Sequence, residues 1–149
     1  MTEAQKSQLR HEHNGEGCMQ IGDVAERTGL SLRTIRYYEE AGLAAPATRS
    51  SGGFRLYTAA DCDRLRLVRQ MKPLGFTLEE MREILEILDQ LSAVPVTEDA
   101  ETLHERLLGF ARLAQERCDR LREQLAAATG FTDMLHGRLN ASRTENGER

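Results

Sequence analysis

The spacing of apolar positions changes along the chain, and each change marks an element. Residues 1–18 are polar and without period; with Asn14-Gly15-Glu16-Gly17 among them they read as a flexible tail. Next, Ile21, Val24 and Ala25 recur on one side of a short helix that stops at Gly29, because glycine suits the left-handed residue just past a helix end. Ser31 can cap a second helix from Leu32 to about Ala41, and Gly42 stops it. Two short helices joined by a glycine-containing turn make a helix-turn-helix, with Ile21, Val24, Ala25, Leu30 and Ile35 as its expected core. After Pro46 the chain turns to Ser, Thr and Gly, then to Phe54-Arg55-Leu56-Tyr57-Thr58. With Gly52-Gly53 at the tip, this predicts a hairpin of two strands. Thr58 or Asp61 begins a third helix with Leu65, Val68 and Met71 on its apolar face, and Pro73 ends it. Thr77 and Glu80 form a capping box for a fourth helix, whose stripe is Leu78, Met81, Leu85, Leu88 and Leu91.

Residues 92–100, which hold Pro95, read as a linker. From 101 to 128 a long helix places Leu107, Ala111, Ala114, Cys118, Leu121, Leu125 and Ala128 at alternating steps of four and three, the seam of a coiled coil sustained over roughly three heptads. So narrow a seam cannot be buried by one helix alone, and it predicts pairing into a homodimer. Residues 129–149 are expected to be a tail, with room for a short helix carrying Phe131, Met134, Leu135 and Leu139. The expected fold is mainly α: a winged helix-turn-helix domain over residues 19–91, then the linker and the coiled-coil dimerisation helix.

Composition agrees with helices, since aromatics are few and tryptophan is absent. The three cysteines, Cys18, Cys62 and Cys118, are far apart and imply no disulfide framework. With no apolar run of membrane-spanning length and no basic-then-apolar leader, a cytoplasmic protein is expected, with no membrane partner. The net charge of −4 is not that of a nucleic-acid binder, but its distribution is uneven. Residues 19–75 carry nine Lys/Arg against six Asp/Glu, a net +3, and the remainder carries eleven against eighteen, a net −7. Opposite signs suit a chain in which one part meets phosphates and the other does not. No nucleophile–base set, glycine-rich phosphate loop or metal-ligand spacing points to an enzyme or a cofactor.

Arg33, Thr34, Arg36 and Tyr37 lie on the second helix away from Ile35, and the hairpin adds Arg49, Arg55 and Tyr57. A recognition helix inserts its N-terminal residues into the major groove. Arginine pairs with guanine edges, and tyrosine or further arginines bond to phosphates. Spacing alone leaves open a solvated helix face and an ordinary surface hairpin.

The ordered motifs narrow this. Ile21-Gly22-Asp23-Val24-Ala25, Thr34-Ile35-Arg36-Tyr37-Tyr38-Glu39 and Gly42-Leu43 resemble the opening signature of the MerR family. Gly53-Phe54-Arg55-Leu56-Tyr57 resembles its wing, and Leu74-Gly75-Phe76-Thr77-Leu78-Glu79-Glu80 its junction between third and fourth helices. Pro73 departs from the pattern, so the path into Leu74-Gly75 is expected to differ without affecting DNA contact. The resemblance implies a homodimer joined by antiparallel pairing of the long helix, bound to double-stranded promoter DNA at a near-palindromic operator. It implies regulation of transcription by bending and untwisting a promoter spacer, so that RNA polymerase can engage. The DNA-contacting set it implies is Ser31, Arg33, Thr34, Arg36, Tyr37 and Tyr38, with Arg49, Gly53, Phe54, Arg55 and Tyr57 on the wing and Arg69 in the third helix; Tyr38 fits the core equally well.

Metal-sensing relatives carry cysteines at the start of the long helix and in a loop after it; here residues 99–103 and those after Ala128 have none, and soft metals need thiolates. His11, His13 and Cys18 could meet a metal, but on a tail that does nothing to hold them. Cys62 reads as an ordinary helix residue. Cys118, at a seam position, is either core packing or a cysteine facing its counterpart across the dimer. A small-molecule effector would sit between subunits, against Leu107, Phe110 and Phe131. Two rivals stay open: an architectural or excisionase-like DNA binder without effector, and a coiled-coil interaction protein whose helix-turn-helix binds protein.

Overall fold

Side chains in the first turn decide where the helices begin. In the computed structural model, which describes residues 17–44, 48–93 and 100–147, the elements in chain order are β1 (Met19–Gln20), α1 (Ile21–Thr28), α2 (Leu32–Glu40), β2 (Thr48–Arg49), β3 (Arg55–Tyr57), α3 (Ala59–Met71), a 3-10 turn (Lys72–Leu74), α4 (Leu78–Ser92) and α5 (Ala100–Gly147). The Ser31 Oγ accepts from the Thr34 amide at 3.1 Å and starts α2. Thr58 and Asp61 cap each other's backbone at 2.7 and 3.2 Å and start α3; Thr77 and Glu80 do the same for α4 at 2.9 and 3.1 Å. These bonds satisfy amides that have no intrahelical acceptor.

The chain divides into two compact units after Leu103. In the first, Val24, Ile35, Tyr38, Leu43, Tyr57, Leu65 and Val68 form the centre of the core, joined by Cys62, Met71, Phe76, Met81, Ile84, Leu85 and Ile87. Of the expected helix-turn-helix core, Val24 and Ile35 are fully buried, while Ile21, Ala25 and Leu30 are half-buried. Thr28 is buried too, its hydroxyl donating to the Val24 carbonyl at 2.7 Å. On α4 the most buried residues are Met81, Ile84, Leu85 and Ile87, so the stripe is rotated from the expected one, and Leu78, Leu88 and Leu91 lie at its edge. Pro73 sits in the 3-10 turn directly after α3, as its missing amide requires.

The expected two-stranded hairpin is a three-stranded sheet, in the order β1-β3-β2. Both pairings are antiparallel: Met19 and Gln20 lie opposite Tyr57 and Leu56, and Thr48 and Arg49 opposite Leu56 and Arg55. The tip turns on the Gly53 amide bonding to the Ser50 carbonyl at 2.9 Å, with Gly53 at φ 80°. A left-handed residue after such a turn is what a three-residue hairpin loop needs.

The second unit begins within α5, one helix of 48 residues from Ala100 to Gly147. The expectation of a break after Ala128 is corrected: residues 129–147 continue the helix. Gly130 and Gly137 cost a helix only about 1 kcal/mol each and no proline follows them, so nothing there stops propagation. The steps of four and three also continue through Thr132, Leu135, Leu139 and Ser142. Most of linker 92–100 lies outside the described residues, as do His11 and His13.

Candidate nucleic-acid interface

Helix α2 has two faces. Ile35 and Tyr38 point into the core, while Arg33, Arg36 and Tyr37 stand outward with Leu32, Tyr37 being 49 % exposed. Residues at i, i+3 and i+4 share one helical face, so the two guanidiniums and the phenol form a single patch near the capped N-terminus. Ser31 is exposed at that end, and its hydroxyl lies 2.8 Å from that of the half-buried Thr34. The partial positive charge of a helix N-terminus adds to the arginines there.

The wing presents a second patch. Arg49 is exposed and donates to the Gly53 carbonyl at 3.1 Å, bracing the turn. Phe54 is 62 % exposed, its ring lying where a Cβ on Gly52 would be 3.2 Å away. Arg55 and Tyr57, by contrast, look inward. Arg55 is half-buried and pairs with Glu39 of α2 at 3.3 Å. Tyr57 has no exposed surface, and its hydroxyl donates to the same Glu39 oxygen, Oε2, at 3.2 Å. Burial, and then the Glu39 charge, push the Tyr57 phenol above its ordinary value, so it stays a donor.

Two expectations therefore change, for Tyr57 and Arg69, and the open choice at Tyr38 falls to the core. Tyr57 and Tyr38 belong to the core and present no surface to a duplex. Arg69, expected at a phosphate, instead donates to the Thr28 carbonyl at 2.7 Å, where it terminates α1. It does not act alone. Arg66 donates to the Arg27 carbonyl at 3.1 Å, Arg64 to the Leu43 carbonyl at 2.8 Å, and Arg82 to the Ala41 carbonyl at 2.9 Å. These four arginines of α3 and α4 satisfy carbonyls at or just beyond the C-termini of α1 and α2, where a cation is favoured. Gly29 is favoured there by its backbone, whose φ is 69°, and a Cβ in its place would also push the Arg69 guanidinium, 2.7 Å away, off the Thr28 carbonyl. Sequence reasoning missed this set because side chain-to-carbonyl bonds spanning tens of residues leave no local signature.

Cys62 is buried and its thiol is pushed up chiefly by that burial, which keeps it protonated and inert. Among the described residues no three His, Cys, Asp or Glu side chains converge to hold a metal, and no helix is long and apolar enough to cross a membrane. On α5, Leu121 and Leu125 are 42 % and 67 % exposed, and Leu107, Ala114 and Cys118 are half-buried; Ala111 and Ala128 are exposed. Phe131 is exposed and Phe110 half-buried on the same helix.

A capped recognition helix with outward arginines and a wing held to it, followed in the chain by a long helix, define a winged helix-turn-helix DNA-binding protein. The profile of MerR HTH family regulatory proteins matches residues 19–87, and that of the MerR DNA-binding region matches 62–137. The transcriptional regulator CueR of Yersinia pestis is 40 % identical over 97 residues, 65 % of this chain and 67 % of that one. A MerR family regulator from Listeria monocytogenes superimposes with a TM-score of 0.62 at 27 % identity, over 87 % of this chain and 95 % of that one. HiNmlR, a MerR family regulator lacking the sensor domain and bound to promoter DNA, has the same fold, with a TM-score of 0.57 at 24 % identity, over 78 % and 79 % of the two chains. The chain belongs to the MerR HTH family. It is a DNA-binding transcription regulator and not an enzyme, and its relatives favour that role over an effector-free architectural one.

Proposed function

We propose that the protein reads promoter DNA as a homodimer, each copy taking one half of a near-palindromic operator. Arg33, Thr34, Arg36 and Tyr37 enter the major groove with Ser31 at their leading edge. Arg49, Gly53 and Phe54 at the wing tip meet the flanking backbone, and Arg55 stands behind them. The observation that carries this reading is the outward patch of Arg33, Arg36 and Tyr37 on a helix whose opposite face is locked into the core. HiNmlR, with the same fold, was crystallised on promoter DNA, which supports promoter DNA as the partner.

The seam of α5 supports the dimer. At 1.5 Å per residue a 48-residue helix is about 70 Å long. Its stripe of exposed leucines calls for a second copy, in antiparallel pairing so that two recognition helices face one duplex. Such a dimer controls transcription by bending and untwisting the promoter between RNA polymerase contacts, an effort of a few kcal/mol that added protein–DNA contacts repay. A small-molecule effector would sit between subunits, against Leu107, Phe110 and Phe131.

Arg36→Ala tests the interface. In an anisotropy titration against a duplex from upstream of its own gene, the loss of about 1–3 kcal/mol expected for a base-reading arginine weakens binding roughly tenfold or more. Unchanged affinity removes Arg36 from the interface.

A further inference from the structure

The carboxylate of Glu39 is placed where a DNA-binding surface would gain most by having none. It sits in the last turn of α2, two residues past Tyr37, with its side chain only 13 % exposed. A negative charge beside a phosphate-binding surface works against association. Yet Glu39 receives two donors on one oxygen, Arg55 Nη1 at 3.3 Å and the Tyr57 hydroxyl at 3.2 Å. Both donors lie on β3, the middle strand of the sheet, which pairs with β1 on one side and β2 on the other. Anchoring β3 therefore anchors β2 and, through the turn at Ser50 and Gly53, the tip that carries Arg49 and Phe54.

We propose that Glu39 is a positioning residue: it locks the wing to the recognition helix at one angle, so that both surfaces meet a half-site in register. Its contribution to DNA binding is favourable although its charge alone is repulsive. The side chain of Glu39 touches no DNA; it acts through Arg55 and Tyr57. A charge-assisted bond to a buried phenol is stronger than a neutral one and is directional, which suits it to holding an angle. The inference rests on the reading that α2 and the wing tip both contact the duplex.

The sign of the effect makes it testable. If Glu39 acted only by its charge, removing the carboxylate would tighten binding in every variant. Under the lock, Glu39→Ala weakens operator binding about fivefold, the size of one net hydrogen bond, and hydroxyl-radical protection fades at the outer flanks while the centre of each half-site stays protected. Glu39→Gln keeps an acceptor for Arg55 and Tyr57 and binds at least as tightly as the wild type. Tyr57→Phe, which removes only the hydroxyl, reproduces the flank loss and serves if Glu39→Ala fails to fold by circular dichroism. Glu39→Ala binding as tightly as wild type, or Tyr57→Phe with an unchanged footprint, overturns the proposal. Arg36→Ala and Arg49→Ala, measured alongside, separate the two readings. If both weaken binding and Glu39→Ala does not, only the lock falls; if neither does, the interface itself is misassigned and the lock falls with it.

Discussion

Arg36 and Arg69 carry the same guanidinium and differ in what surrounds it. Arg36 stands in solvent on the outer face of α2, whereas Arg69 holds the Thr28 carbonyl at the end of α1. Their substitutions should therefore separate in two measurements. Arg69→Ala lowers the stability of the chain by about 1 kcal/mol, a charge-assisted bond discounted for solvent exposure, and leaves the slope of log affinity against log salt unchanged. A shallower slope would show that Arg69 neutralises a phosphate after all. The residue scale is also where the sequence was least legible. Arginine and tyrosine are the residue types that touch DNA, and their identity alone does not tell an outward side chain from one turned inward. Tyr38 and Tyr57 went into the core because their rings fill it, and Arg55 turned to Glu39. Arg33, Arg36 and Tyr37 could be placed because the helical period, measured from Ile35, puts them outside.

At the scale of elements, local chemistry announced most boundaries. The Ser31 cap and the Thr58–Asp61 and Thr77–Glu80 boxes lie within four residues of sequence, so a reader of the chain can see both partners. Strand β1 could not be seen, since its two residues become a strand only by lying against Tyr57 and Leu56. The end of α5 misled for another reason. Gly130 and Gly137 look like a stop, and Thr132 interrupts the apolar seam. In the helix, however, Gly109, Gly130 and Gly137 each fall two residues after an inner seam position (Leu107, Ala128 and Leu135), the part of the heptad farthest from a partner. A Cβ on any of the three would meet nothing within 4 Å. Gly130→Ala and Gly137→Ala are accordingly expected to stabilise the helix by about 0.5–1 kcal/mol each, read as a higher melting temperature with the oligomeric state unchanged. A lower melting temperature would mean that these positions face a neighbour and that the seam is drawn on the wrong side.

For the whole molecule, the reading joins two DNA-reading lobes through one shared strut. Replacing Leu121 and Leu125 together with glutamate puts four like charges into the paired seam, and sedimentation should then report monomers. Dimers that persist would place the interface elsewhere. Monomers should also lose most operator affinity while keeping folded lobes, because one half-site supplies only half the contacts. The account as a whole meets its most direct test in the salt dependence of binding to a duplex from the protein's own upstream region. Counterion release predicts that log affinity falls linearly with log salt, at a slope of about −0.9 per neutralised phosphate, with two chains bound per duplex. Binding that ignores salt, or that is absent even in dilute buffer, would contradict it.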